Sequence, residues 1–541
     1  MAARSTARRQ GRQQHRTARV APAARASLAL LTGAGLSQAA LHAPAVRAAD
    51  GPKPPPIQVT PARLQSALAQ LDGLAEDLLK RSGVPGMAVV VVHNDRVVYL
   101  RGFGVLEAGQ PAPVDGDTVF QLASLSKPIA STVVAALVGD GRVGWDDPVL
   151  RTLPEARIGP PAIAGSVTLR DLLSHRSGLP DHAGDHLEDI GFDRDTILRR
   201  LRLIPIGNRF RSVYNYTNFG FTAGAVAAAR TTAQDWETLS AQRLYRPLGM
   251  TRTTSRFSEL MAMANRARPH VREDGRWVAR YQRDPQAQAP AGGVSASARD
   301  LGQWLRLQLA GGRIDGRQVV AAEALGETHR PQMISTPPKH PSQDHAGLYG
   351  LGWGVGYTDR GEVQLSHSGA FNLGASTAVY LLPEETLGIV ALTNGQPVGV
   401  PESLALSVLD LASRGAIRQD YFPALNQVFQ AMSNQDYPQV VTPAAPTPAL
   451  APQAYAGRYR NAYVGPITVR QQGQALELEL GPAPLRFPLT HVSGHTFSYQ
   501  PVGENAFGPS AVVFTVEAGG RATGVRLDNL NLDGMGTFQR D

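Results

Sequence analysis

The stretch Ser124-Leu125-Ser126-Lys127, followed by Pro128 and an apolar run from Ile129 to Val138, decides the predicted fold. Proline is compatible with a helix only in the first turn, where its missing N–H is not needed. The pattern therefore predicts that a helix begins at Ser124 and that Lys127 lies one turn further along the same face, within reach of the hydroxyl. At a helix N-terminus, the dipole favours negative charge that develops on the serine oxygen.

A Ser-x-x-Lys pattern by itself is short and often marks only a helix cap. This chain, however, contains only four lysines among its 53 basic residues. Arginine is not deprotonated in proteins, whereas a buried lysine loses its proton because burial disfavours the charged form. A lysine at position 127 therefore favours a neutral amine that accepts a proton from Ser124.

Two further patterns follow in chain order. Tyr216-Thr217-Asn218 comes after a strand-like stretch over Phe210–Tyr214, and His367-Ser368-Gly369 follows a predicted strand over 363–366. The array Ser-x-x-Lys, Tyr-x-Asn, His-x-Gly resembles the serine β-lactamase and penicillin-binding-protein superfamily. Longer sequence motifs narrow the resemblance to the class C branch of this superfamily, and the resemblance extends over about Gly86 to Asn394. These motifs are Leu169–Pro180, Pro247–Met250, Pro290–Ser297 and Tyr349–Gly354.

The resemblance implies roles for the catalytic residues. Ser124 would be the nucleophile that forms an acyl-enzyme, without a cofactor or metal. Lys127 and Tyr216 would share proton transfer, with Tyr216 passing a proton to the leaving group and acting as the deacylation base. Asn218 would orient Lys127 or a substrate amide. The implied substrate is a small-molecule ester, amide or peptide.

The resemblance also implies a substrate-lining strand after His367 that includes Ser368 and Gly369, and an oxyanion hole made by the backbone N–H groups of Ser124 and Ala370. Many relatives carry lysine where this chain has His367. Because histidine is largely neutral at pH 7, an esterase or D-amino-acid-directed peptidase is favoured over an efficient β-lactamase. A penicillin-binding sensor or scaffold that acylates slowly, or not at all, remains the alternative.

The other polar residues do not indicate a metal site or a second catalytic site. His182 and His186 lie near several carboxylates, but the preceding Gly178-Leu179-Pro180 and the nearby Gly184 predict a solvated loop, without a third metal ligand. His175 lies within the family-like motif Leu169–Pro180 and is interpreted as a structural residue. The chain contains no cysteine, which excludes zinc thiolates and a cysteine nucleophile.

The flanking sequence predicts an α/β (α+β) fold. Leucines between Leu64 and Leu78 recur at helical spacing before Gly83, and a hairpin is predicted over Met87–Phe103. A second buried hairpin is predicted within Ala375–Thr393. The resemblance implies an antiparallel sheet flanked by helices, beside an all-helical lobe.

The C-terminal quarter has a different composition. Prolines spaced by alanine and threonine predict an extended linker over 433–452, and strict alternation over Leu476–Leu480 begins an all-β pattern. The last unit, 453–541, resembles the lipocalin-like barrel appended to many members of the branch. The catalytic domain is predicted over 62–432.

The N-terminus predicts export. Residues 1–48 contain eight arginines and no Lys, Asp or Glu, with an apolar run from Ala26 to Leu41 and a plausible cleavage site before Ala49. This order is typical of a signal peptide and predicts a periplasmic or secreted protein; a mitochondrial transit peptide is the alternative. A proline-rich connector, 49–61, follows.

The formal charge of +8 comes from this leader, because removing it leaves 45 basic against 45 acidic residues. The remainder therefore gives no electrostatic reason to bind nucleic acid. No later segment is long and apolar enough to span a bilayer.

Overall fold

The computed structural model describes residues 59–342, 344–433, 440–506 and 508–541. The predicted signal peptide and most of the connector lie outside these residues. Within them, no helix is both long and apolar enough to cross a membrane. The helices are α1 Pro61–Ser82, α2 Ser126–Gly139, α3 Pro161–Ala164, α4 Leu169–Leu173, α5 Asp185–Asp189, α6 Arg194–Arg200, α7 Asn218–Ala229, α8 Trp236–Ser240, α9 Phe257–Ala262, α10 Ala289–Gly292, α11 Ala298–Leu309, α12 Ala322–Thr328, α13 Val400–Arg414 and α14 Tyr421–Ser433.

The strands fall into a large sheet, a barrel and short two-stranded pairs. In chain order they are β1 Gly86–His93, β2 Arg96–Gly104, β3 Val119–Gln121, β4 Val271–Glu273, β5 Arg276–Val278, β6 Ser295–Ser297, β7 Arg313–Ile314, β8 Arg317–Gln318, β9 Met333–Thr336, β10 Gly347–Tyr349, β11 Gly354–Tyr357, β12 Val363–Phe371, β13 Ala375–Leu382, β14 Leu387–Thr393, β15 Gly457–Arg460, β16 Ile467–Gln472, β17 Ala475–Leu480, β18 Leu485–Ser493, β19 Thr496–Tyr499, β20 Ser510–Val516, β21 Ala522–Leu527 and β22 Thr537–Arg540.

The catalytic domain is organised around an eight-stranded antiparallel sheet in the order β2-β1-β14-β13-β12-β11-β10-β9. Strand β1 pairs with β14, the last of the three long C-terminal strands, so the two ends of the domain meet in neighbouring strands near the β2 edge of the sheet. Both hairpins predicted from the sequence are confirmed. Together with the closed barrel that follows, this confirms the predicted fold class.

The sheet is buried on both faces along β1, β13 and β14, where almost every residue is buried. Along β1, Met87, Val89 and Val91 belong to a core formed with α1, α13 and α14. The alternate residues Ala88 and Val90 belong to the core on the opposite face. That second face carries α11, the nucleophile helix α2 and the helical lobe. The active site therefore has a rigid, fully packed support.

The helical lobe is built around α7, all of whose residues are buried. It packs against α4 on one side and against α2 and α10 on the other. This arrangement brings the start of α7, with Asn218, towards the start of α2, with Lys127. The helical lobe thereby places Asn218 beside the edge of the sheet.

The last strands, β15–β22, form a closed antiparallel barrel. The alternation predicted at Leu476–Leu480 is confirmed, with Leu476, Leu478 and Leu480 inside the barrel. Segment 440–451 carries no helix or strand, and the Thr447 carbonyl accepts a hydrogen bond from Gly494 N at 2.8 Å. The part of the linker that is described thus lies along the barrel.

One local prediction is wrong. Phe210–Tyr214 forms turns rather than a strand. Arg211 takes a positive φ of 59°, which no strand accommodates, and its guanidinium pairs with the buried Asp171 carboxylate at 2.7 Å. Phe210 packs against the main core and Tyr214 packs with Tyr216 and Tyr349, whereas Val213 is exposed.

Candidate active site

The nucleophile turn begins directly after β3. Ala123–Leu125 is a short 3-10 turn, and α2 continues from Ser126. Ala123 has a left-handed φ of 49°, a conformation that costs a residue with a side chain about 1–2 kcal/mol. From Thr118 to Leu137, Ser124 alone is partly exposed. A strained turn thus presents one hydroxyl from an otherwise buried segment, as is typical of functional sites.

Lys127 lies fully buried beneath this hydroxyl. Its Nζ is 3.2 Å from Ser124 Oγ, 2.7 Å from Asn218 Oδ1 and 3.0 Å from the Ala291 carbonyl oxygen. Burial holds the pKa of Lys127 well below its ordinary value, and the charge of Arg283 lowers it further, against the opposing effect of Asp185. A neutral amine has two N–H donors and one lone pair. The two carbonyl oxygens take the donors, and the lone pair then faces Ser124.

Tyr216 completes the contacts of the serine. Its hydroxyl donates to Ser124 Oγ at 2.6 Å, and burial raises the pKa of Tyr216 well above its ordinary value. The Tyr216 ring also lies 4.4 Å from Lys127 Nζ. Burial therefore favours the protonated phenol of Tyr216, which is a proton donor, and the neutral amine of Lys127, which is a base. The sequence-based role of Tyr216 as deacylation base does not follow from this geometry.

Asn218 is oriented from behind by a carboxylate. Its Nδ2 donates to Asp185 Oδ2 at 2.7 Å, and His182 Nδ1 lies 2.7 Å from the same oxygen. This fixes the amide so that Oδ1 points to Lys127. The solvated loop predicted here is wrong in part, because Asp185 is buried at the start of α5.

The backbone of β12 lies against the nucleophile turn. A Cβ on Gly369 would come within 2.1 Å of the Leu122 carbonyl oxygen and 2.3 Å of Thr377 Oγ1. The same Thr377 hydroxyl donates to Leu122 O at 2.8 Å. Strand β11 pairs with β12 only as far as Ser366. The remaining edge of β12, up to the partly exposed Ala370, therefore runs past Ser124.

The side chains of β12 point to opposite faces. His367 pairs with Val379 on the catalytic face, and Ser368 pairs with Ala378 on the other face, where its hydroxyl lies against Glu402 of α13. Ser368 therefore contributes its backbone, not its side chain, to the cleft.

His367 is enclosed rather than open to the cleft. Its Nδ1 lies 2.7 Å from the Ser368 carbonyl and its Nε2 lies 3.0 Å from Tyr349 Oη, and the side chain has no exposed surface. The carbonyl can only accept, so Nδ1 carries the proton and Nε2 accepts from the tyrosine. Burial is the main cause that lowers the pKa of His367 to about 3. It is neutral at physiological pH.

Residues 71–412 match the β-lactamase family, and residues 442–539 match a domain of unknown function, DUF3471. The first match covers more than half of the chain. The chain belongs to the β-lactamase family. This β-lactamase-family protein is a serine hydrolase of the acyl-transfer type.

Three relatives are hydrolases or share most of the catalytic domain. Unguisins hydrolase ungD of Aspergillus violaceofuscus is 23% identical over 424 residues, covering 71% of this chain and 73% of the relative. Esterase EstB of Burkholderia gladioli is 33% identical over 201 residues, covering 34% of this chain and 50% of the relative. Protein flp of Staphylococcus aureus is 21% identical, covering 62% and 64%.

Two solved structures share the fold. A penicillin-binding protein homologue from Pyrococcus abyssi, described as octameric, superposes with a TM-score of 0.55 at 20% identity, over 85% of this chain and 98% of the other. A class C β-lactamase from Rhodobacter sphaeroides superposes with a TM-score of 0.52 at 22% identity, over 63% and 97%.

Several residues of the site were missed or set aside in the sequence. Asp181 Oδ1 accepts from Tyr216 N at 2.6 Å, and His175 Nδ1 accepts from Thr217 N at 3.2 Å. With Asp185, they hold the Tyr-x-Asn segment, and Asp181 and Asp185 belong to the segment that the sequence predicts to be a solvated loop. Within the described residues, no group of three ligating side chains could hold a metal ion. The sequence signal that could have identified Asp181 and Asp185 is the occurrence of carboxylates in the turn between Gly178 and Leu187.

Proposed function

We propose that this protein hydrolyses esters or amides through an acyl-enzyme on Ser124, as an esterase or D-amino-acid-directed peptidase rather than an efficient β-lactamase. The observation that carries the proposal is the pair of contacts to Ser124 Oγ, from a donor, Tyr216, and from a buried amine, Lys127. A hydroxyl between a proton donor and a neutral base is prepared for nucleophilic attack.

Acylation follows from these contacts. Ser124 Oγ attacks the substrate carbonyl carbon while its proton passes to the Lys127 lone pair. The tetrahedral oxyanion is met by the N–H groups of Ser124 and Ala370. As the bond to the leaving group breaks, Tyr216 donates its proton to that group and recovers one from the Lys127 ammonium. Lys127 is then neutral again, and the acyl group remains on Ser124.

Deacylation uses the same residues in the reverse direction. Water takes the position of the leaving group beside Tyr216 and loses a proton, which is relayed through the phenol to neutral Lys127. The new oxyanion collapses, Ser124 Oγ leaves with a proton, and the carboxylic acid is released. Asn218, held by Asp185, keeps the amine directed at the serine throughout.

The preference for uncharged substrates rests on His367. A histidine with a pKa of about 3, whose two ring nitrogens already contact protein oxygens, supplies no positive charge to a substrate carboxylate. The relative named as an esterase is consistent with this preference.

We also propose that the protein is exported to the periplasm or secreted. The support is the sequence of residues 1–48, with eight arginines, no acidic residue and one apolar run. A mitochondrial destination is the alternative that the same composition allows.

The decisive experiment is a time course with p-nitrophenyl esters, D-alanyl anilides and a fluorescent β-lactam on the purified protein. We expect turnover of an ester or D-amino-acid amide and slow or no turnover of the β-lactam. A lasting covalent label from the β-lactam, without turnover of any substrate, would instead support a penicillin-binding sensor. Rapid β-lactam hydrolysis would contradict the proposed preference.

A further inference from the structure

The barrel reaches the catalytic domain through the loop between β19 and β20. Its residues 501–506 lie against α5 and against the turn that follows β12. The Asp189 carboxylate accepts hydrogen bonds from Glu504 N at 2.9 Å, from Asn505 N at 3.0 Å and from Asn505 Nδ2 at 2.8 Å. A Cβ on Gly503 would come within 2.4 Å of the same carboxylate. The helical lobe thus holds the loop by its backbone.

The side chain of Glu504 extends from this loop to the end of β12. Its carboxylate accepts from the backbone N–H groups of Asn372 and Leu373, the latter at 3.3 Å. These are the first two residues after Phe371, with which β12 ends. A barrel carboxylate therefore fixes the turn into which the active-site strand runs.

Glu504 also completes a buried ion-pair network. Arg283 Nη1 lies 3.1 Å from Glu504, and its Nη2 lies 2.8 Å from Glu188 of α5. The Arg283 side chain is only 7% exposed. A charge buried to this extent is stable only when it is paired, so Arg283 depends on the two carboxyl groups that flank it.

The network lies next to the nucleophile turn. The guanidinium of Arg283 stacks over the Phe371 ring at 4.4 Å, and Phe371 packs with Ala123, the residue before Ser124. The Arg283 carbonyl accepts from Gln121 of β3 at 3.0 Å. From Ser124, the contacts therefore run through Ala123 and Phe371 to Arg283, and then to the barrel loop.

We propose that barrel residues 501–506 form the end wall of the substrate cleft and limit the length of the substrate group that extends from Ser124 along β12 towards Phe371. This inference rests on the proposed function. A substrate held at Ser124 and at Ala370 N–H lies along this strand edge. A group that continues in the same direction meets Phe371, then Arg283 and the loop. Glu504 and Asp189 are positioning residues, because neither contacts the reacting atoms.

The test compares Glu504→Ala and Asp189→Ala with wild type. Glu504→Ala removes the contacts of the loop with β12 and with Arg283. Asp189→Ala removes the hydrogen bonds that hold the loop backbone and leaves the Arg283 ion pairs in place. One variant therefore remains informative if the other fails to fold. Glu517→Ala is the matched control, since it removes an exposed carboxylate from the β20–β21 turn of the same barrel.

Two substrate series are measured on the full chain. One lengthens the acyl group of p-nitrophenyl esters from two to eight carbons, and the other keeps an acetyl group and enlarges the alcohol. We expect the kcat/KM ratio of long to short substrate to rise at least about tenfold in one series, the scale at which a pocket discriminates a few methylenes. The rise should come mainly from KM, and the control should keep the wild-type ratio.

Unchanged ratios in both series, together with a lower Tm, would show that the loop is only an anchor between the domains and would overturn this inference alone. Absence of ester turnover and of fluorophosphonate labelling at Ser124, in wild type as in the variants, would contradict the proposed function and this inference with it.

Discussion

At the level of single residues, the reactivity of Ser124 depends on two neighbours, Lys127 and Tyr216, whose pKa values are shifted in opposite directions. Burial favours the neutral form of both, so it lowers the pKa of Lys127 and raises that of Tyr216. The amine becomes a base and the phenol remains an acid at the same pH. Separation of acid and base by environment is the usual way in which one site performs both proton transfers.

We expect Ser124→Ala to abolish covalent labelling by a fluorophosphonate, because the hydroxyl is the nucleophile. The matched control is Ser126→Ala, two residues along. Ser126 is buried, and its hydroxyl accepts from Val294 N at 3.0 Å instead of facing the cleft. Mass spectrometry of the labelled peptide locates the adduct; a label on Ser126, or one that persists in Ser124→Ala, would refute the assignment.

Lys127→Arg should reduce the labelling rate at Ser124 by at least about 10²-fold, the lower range for a positioned base, because guanidinium cannot accept the proton. In wild type, the rate should fall only as pH falls through the depressed pKa of Lys127, where the amine becomes charged. It should be near its plateau at pH 8, where an ordinary lysine would be less than about 1% neutral. A rate that rises until pH 10 would contradict a depressed pKa.

His367→Lys should lower the Tm without recruiting carboxylated substrates. The new ammonium would be buried among Tyr349, Ser368 and Lys127, and a buried, unpaired charge costs several kcal/mol. His491→Lys, at an exposed barrel position, controls for the added charge. A rise of about tenfold in the kcat/KM ratio of carboxylated to neutral substrates, at unchanged Tm, would show that residue 367 faces the substrate after all.

Among secondary-structure elements, the contact between β12 and the nucleophile turn matters most. Gly369 is required there by close approach of two backbones, with Leu122 O within 2.1 Å of where a Cβ would stand. Strand β12 is in turn held by β13 through its full register from Leu365 to Phe371. The distance from Ser124 to the strand edge is therefore set by backbone packing.

Gly369→Ala should separate β12 from this turn and reduce the labelling rate at Ser124 by about 10²-fold, as misplacement near 1 Å can. Gly326→Ala is the control, because a Cβ there meets nothing within 4 Å and the residue lies inside α12. Alanine should stabilise that helix by about 1 kcal/mol and leave labelling unchanged. Equal labelling by both variants would show that the close approach has no catalytic consequence.

For the whole molecule, the two ends of the catalytic domain close one sheet, and the barrel docks on the helical lobe. Strand β1 pairs with β14 from Met87 to His93, and Asp189 binds the barrel loop. The two ends of the catalytic domain are therefore fixed to each other through the sheet, whereas the barrel contacts the domain at the helical lobe.

We expect the mature protein to begin near Ala49 and to be recovered outside the cytoplasm. N-terminal sequencing of protein from the native cell measures this directly. Because the leader carries the whole excess of eight positive charges, the mature isoelectric point should fall well below the 9.8 of the full sequence. A chain that starts at Met1 in the cytosol would refute the prediction.

The sequence by itself determined the elements whose signals are local. The helix of Lys127, both hairpins and the alternating barrel strands follow from side-chain periodicity and turn residues, which act over a few positions. It also paired Ser124 with Lys127, because an i, i+3 spacing on a helix implies contact. The resemblance then brought Tyr216 and Asn218 to the same site.

Only the tertiary structure decided what surrounds them. Asp185 orients Asn218, His367 is sealed by Tyr349, and Glu504 reaches Arg283 from another domain. None of these contacts has a local signal, since they join residues tens to hundreds of positions apart. Burial is equally non-local, and it is burial that lowers the pKa of both Lys127 and His367 and so favours their neutral forms. Spacing along the chain can predict which face of a helix or strand a side chain lies on. The solvent exposure of that side chain, and with it the pKa, depends on all the elements that pack against that face.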